Sequence, residues 1–143
     1  MTNKSIDGKL LSIANENMLA KLSRLESNIA HMSCIKLLEI CTRRAKQKQA
    51  WYMSLLIEED RLRASECDEI VFEIVCNQDG GKLSFSGDFS FGNGRIFKKL
   101  QEIEINLNGQ DERKLIGELS ELAVLYFSDA EDSLEAMISE LAI

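Results

Sequence analysis

A single histidine and four cysteines are the residues best suited to chemistry in this chain. His31, Cys34, Leu38 and Cys41 fall along one side if their segment is helical. Zinc would need a fourth ligand nearby, and structural zinc sites favour C-x-x-C or H-x₃-H spacings that are absent here. A cysteine nucleophile needs a histidine as its base, and His31 is the only candidate. Cys67 and Cys76 stand apart, again without a C-x-x-C pair. Small reduced thiols in apolar seams account for all four. A non-enzymatic protein with no metal and no cofactor is therefore expected.

The glycines lead to the same expectation. Residues 79–81 (Asp-Gly-Gly) and 92–94 (Gly-Asn-Gly) match neither G-x-x-x-x-G-K-[ST] nor a complete G-x-G-x-x-G, and the spacing of an EF-hand loop is missing. Residues tolerant of positive φ at these places predict hairpin turns.

Binding is better served than catalysis. Arg43, Arg44, Lys46 and Lys48, followed by Trp51 and Tyr52, are the one basic-aromatic cluster. Such cations suit phosphates and such rings suit stacked bases, so nucleic-acid association through Arg43, Arg44, Lys46, Lys48 and Trp51 is the alternative function. Against it, a helix would scatter these cations around its circumference, and the chain's pI is about 4.8.

Charge is also sorted along the sequence: net +3 over residues 1–66, −3 over 67–110 and −7 over 111–143. The final third thus holds the equivalent of the whole formal charge. Glu118, Glu121, Asp129, Glu131, Asp132 and Glu135 are the candidate partner-binding residues, a negative patch for a basic protein. The expected function is a protein-binding module: an inhibitor, an immunity factor or a chaperone-like adaptor.

The elements that must carry these residues follow from periodicity. The 143 residues suit one α+β domain, helical over 1–66, an antiparallel sheet of three to four strands over 67–108, and one or two acidic helices over 109–143. Leu11, Met18, Leu25 and Met32 recur every seven residues, with Leu22 and Ile29 between them. A second seam runs through Leu38, Cys41, Ala45, Tyr52, Leu55 and Leu62, out of step with the first. Neither Gly nor Pro occurs between Gly8 and Gly80. One straight helix over residues 6–65 would be about 90 Å long, against a radius of gyration of about 14–15 Å for a domain of this size. A helical hairpin turning within residues 27–34 is expected, with one long helix second. The 11–32 stripe needs a cover, which a second copy in a homo-oligomer could supply.

Beyond residue 68 the period changes to two. Ile70, Phe72, Ile74 and Cys76 alternate with Val71, Glu73 and Val75, then Leu83, Phe85, Phe89 and Phe91 with Ser84, Ser86, Asp88 and Ser90. Gly87 interrupts the second run as a bulge or bend. Ile103, Ile105 and Leu107 make a third strand, and residues 95–100 read equally as strand or helical turn. Leu115, Ile116, Leu119, Leu122, Ala123 and Tyr126 then keep helical spacing, and Ser128 with Glu131 matches a capping box ahead of Leu134, Met137, Ile138 and Leu141. No apolar run reaches membrane-spanning length, and the first residues lack the apolar run of a signal peptide, so a cytoplasmic location is expected.

Overall fold

The computed structural model describes residues 2–30, 35–45, 48–57, 69–109 and 111–141. Helix α1 (Thr2–Ile29) carries the expected stripe: Met18, Leu22, Leu25 and Ile29, joined by Ala14, are all buried. Each large apolar side chain removed from water in this way stabilises the fold by about 1.5–3 kcal/mol. What covers the stripe is the chain itself, chiefly a C-terminal helix and the sheet. The burial that called for a second copy is therefore met within one chain.

The expectation of helix through residue 66 fails after Ile29. Two long strands, β1 (Ile35–Ala45) and β2 (Lys48–Ile57), form an antiparallel hairpin whose register closes at Ala45↔Lys48. The next described element after α1 is thus a strand and not the second helix of a hairpin, and residues 31–34 of the turn expected within 27–34 lie outside the described residues. Three features hid the strands. The hairpin connection has no Gly, Asn or Pro, the residues that usually mark one. A register shift between Leu37 and Glu39 breaks the period of two in β1. In β2 both faces are buried, Trp51, Met53 and Leu55 on one and Ala50, Tyr52 and Ser54 on the other, so no charged residue marks the alternation over residues 50–55. His31, Met32, Cys34, Lys46, Leu62 and Cys67 lie outside the described residues.

β3 (Glu69–Asp79) and β4 (Lys82–Phe91) alternate as their sequences require, with Ile70, Phe72, Ile74, Cys76, Leu83, Phe85, Phe89 and Phe91 buried. Two residues connect them, and Gly80 takes φ +61°, a conformation that L side chains rarely adopt. Residues 95–100 resolve as a strand, β5 (Ile96–Lys99), followed by β6 (Ile103–Asn106). The sheet therefore has six strands, all antiparallel, in the order β1-β2-β3-β4-β5, with β6 also on β4. That exceeds the three to four expected, because the sheet recruits the β1–β2 hairpin.

Gly87 marks the place where β4 passes from one outer neighbour to the other. β6 pairs with Lys82 to Phe85 and β5 with Asp88 to Ser90, while the Leu100 amide donates to the Gly87 carbonyl at 2.9 Å. A Cβ at position 87 would stand 2.7 Å from the Glu73 carbonyl oxygen, which explains the glycine.

Helices α2 (Glu112–Phe127) and α3 (Ala130–Leu141) divide at the expected joint. Asp111 caps α2 by accepting from the Arg113 amide. The capping box expected at Ser128 does not form: its hydroxyl donates back to the Leu125 carbonyl at 2.9 Å, closing α2 instead of opening α3. Leu115, Leu119, Leu122, Ala123 and Tyr126 of α2 and Leu134 and Met137 of α3 complete the core. At its centre Phe72 stacks on Phe89, ring centroids 4.2 Å apart, and meets the edge of Phe127 at 5.1 Å. Two polar ties fix the helices on the sheet. Asn15 Oδ1 accepts from Trp51 Nε1 at 2.9 Å and from Gln49 Nε2 at 3.3 Å, and the Tyr126 hydroxyl donates to the Gln101 carbonyl at 2.8 Å. Among the described residues no helix is long and apolar enough to cross a membrane.

Candidate functional site

In an antiparallel sheet, residues directly opposite share a face. One face of this sheet is the core. On the other, Cys41, Tyr52, Glu73, Asp88 and Lys99 stand in one row across five strands. The adjacent row is Glu39, Ser54, Val71 and Ser90. Together with Arg43 and Glu69 these residues line a cavity of about 620 Å³. Strand β2, between β1 and β3, lines it with Tyr52, 8% exposed, and Ser54, 6% exposed.

A polar chain organises one side of this cavity. Arg43 donates to the Tyr52 hydroxyl at 2.9 Å, and that hydroxyl donates to Glu39 Oε2, also at 2.9 Å. The guanidinium also lies 4.7 Å from the centre of the Tyr52 ring. The Cys41 thiol and the Glu39 carboxylate beside it, with burial, push the Tyr52 hydroxyl up to about 12, and Arg43 opposes them. Tyr52 is thus a neutral donor at physiological pH. On the other side, Asp88 faces Glu73 directly. Burial raises the Asp88 carboxyl above the usual carboxylate range, while Lys99 pulls in the opposite direction. Four carboxylates (Glu39, Glu69, Glu73 and Asp88) and one guanidinium line the cavity, so its field is negative.

The acids expected to form one C-terminal patch are divided by the fold. Glu118 and Glu121, with Glu104 of β6, rim a groove of about 250 Å³ between α2 and β6 that contains Ile103, Ile105, Leu122 and Leu125. Glu131 instead lines a hollow against α1, together with Lys21 and Arg24. Asp129 stands 3.8 Å from Lys98, an exposed pair of small energetic weight. Asp132 and Glu135 are exposed on α3.

The basic-aromatic cluster is taken apart. Trp51 is 1% exposed on the core face with its indole N–H bonded to Asn15, so it has no surface on which to stack a base. Arg43 is on the opposite face of the sheet among carboxylates, and Lys48 is exposed at the start of β2. Lys46 and the side chain of Arg44 lie outside the described residues. Cys76 is buried in the core and its thiol is pushed up to about 12 by that burial, which leaves it chemically inert. Among the described residues, no group of three His, Cys, Asp or Glu could hold a metal ion.

Sequence periodicity placed Glu73 and Asp88 on the polar side of their strands but had no means of bringing Glu39, Tyr52 and Ser54 beside them. The missing signal was strand character in residues 35–57. No protein-family model matches this chain, nor does any curated protein or solved structure.

Proposed function

We propose that this chain is a non-enzymatic protein-binding module, an inhibitor, immunity factor or chaperone-like adaptor that offers an acidic surface to a basic partner protein. The observation that carries this reading is the groove between α2 and β6. Glu104, Glu118 and Glu121 surround apolar side chains there, and Leu125 is left 48% exposed. Apolar surface ringed by one sign of charge suits a partner segment that inserts a leucine- or isoleucine-like side chain and flanks it with lysine or arginine. The carboxylates would steer the encounter and the apolar contact would hold it. Of these carboxylates, Glu104 already has a cation, Lys82 at 3.1 Å in an exposed pair.

The test is capture from the native host on immobilised protein, with a photo-crosslinker at position 121. A basic protein that crosslinks there, associates more slowly as salt rises, and is lost on Glu118→Lys with Glu121→Lys is the expected result. Capture of DNA or RNA, abolished by neutralising Arg43 and Lys48, would replace this reading with the nucleic-acid alternative.

A further inference from the structure

We infer that the chain forms a two-fold dimer in which strand β1 of each copy pairs antiparallel with β1 of the other, centred on Cys41. The surface is the outer edge of the sheet and does not include the groove at α2 and β6.

Edge position is the first observation. β1 is the outermost strand, and among the described residues no strand pairs with its far side. Such an edge presents a row of N–H and C=O groups that another strand can pair. β1 offers eleven residues of it, whereas β5 and β6 at the opposite end have four each. Glu39, Thr42 and Arg43 are exposed, so the rest of the chain leaves this stretch accessible. The register shift between Leu37 and Glu39 bounds it, and from Glu39 to Ala45 the pairing with β2 is regular.

Charge then selects the occupant. Residues directly opposite in an antiparallel pair share a face, so a two-fold axis must set one residue against its own copy. Centred on Glu39 or Arg43, it would bring like charges together. Centred on Ile40 it would leave Glu39, and on Thr42 it would leave Arg43, facing the uncharged Cys41. Centred on Cys41, it sets Glu39 of each copy against Arg43 of the other, and Ile40 against Thr42 on the opposite face. Both charges are held in advance, since Arg43 donates to the Tyr52 hydroxyl and that hydroxyl donates to Glu39. Little side-chain freedom is then left to lose on pairing. Attraction in one register, with a clash or an unmatched charge in its neighbours, gives self-recognition and fixes the alignment. The contact is isologous and closes at two copies, joining two six-stranded sheets into one.

Sedimentation equilibrium of the full chain at low ionic strength should show monomer and dimer in exchange. Glu39→Arg makes this edge basic and Arg43→Glu makes it acidic, and each variant alone should dimerise about tenfold more weakly or worse. An equimolar mixture of the two should recover the dimer, because the basic edge then meets the acidic one. A role of Glu39 and Arg43 confined to their own chain would not give that recovery. A short bis-maleimide applied to the unmutated protein provides a readout that needs no variant: peptide mapping should find Cys41 of one copy joined to Cys41 of the other. Glu118→Lys with Glu121→Lys should leave the dimer unchanged, which separates this edge from the partner groove. A protein that stays monomeric at high concentration, dimers indifferent to Glu39 and Arg43, or a mixture no better associated than its components would each overturn the proposal. Dimers not joined at Cys41 would do the same.

Discussion

The two faces of the sheet use the same strands and opposite chemistry. On the core face, Trp51, Met53, Ile70, Phe72, Ile74, Phe85, Phe89 and Phe91 pack against helices, and the Trp51 indole and the Gln49 amide both reach Asn15. On the open face the carboxylate of Asp88 stands between Glu73 and Lys99, and burial holds it above its ordinary pKa against the pull of Lys99. The core face is what stability requires. The open face holds a carboxyl that burial disfavours as an anion, a departure of the kind found where proteins bind.

The comparison is broken most forcefully from the core side. Phe72→Ala removes a ring packed against two others and should lower the unfolding free energy by about 3–5 kcal/mol, read from urea denaturation. A loss below about 1 kcal/mol would mean that the Phe72–Phe89–Phe127 cluster is not the centre of the core. Asn15→Ala is next. It strands the Trp51 indole N–H and the Gln49 amide, at a cost of about 1–3 kcal/mol. A neutral result would show that Asn15 does not tie α1 to the sheet.

The open face should respond with the opposite sign. Asp88→Asn removes a charge that burial disfavours and that faces Glu73, against the pull of Lys99, and should raise stability by about 0.2–1 kcal/mol at neutral pH. Its pH dependence sharpens the point. The folded state holds the Asp88 proton more tightly than the unfolded chain does, so it binds more protons in the window just above the ordinary carboxylate pKa of about 4. Stability of the natural protein should therefore fall as pH rises through that window and then level off. Asp88→Asn should lack this component. A variant less stable than the natural protein at neutral pH would show that the carboxylate is stabilised by Lys99 and not opposed by Glu73.

Local pattern sufficed where one face of an element is wet. The stripe of α1, the alternation of β3 and β4, the break between α2 and α3 and the acidic charge of the final third were all visible in the residues, because a half-solvated helix or strand writes its period into polarity. Residues 35–57 carry no such mark. β2 is buried on both faces, the β1–β2 connection has none of the usual turn residues, and the shift at Leu37 and Glu39 interrupts the period, so apolar residues there fit a helical seam equally well. Only pairing with β3 decides for a strand, since Met53 opposite Phe72 and Leu55 opposite Ile70 gain a partner and a hydrogen-bond ladder that an isolated helix would not supply. The candidate site follows the same division. The sequence supplied its residue types, but Glu39, Ser54, Glu73 and Asp88 come from four strands, and their meeting is a property of register, which long-range packing sets.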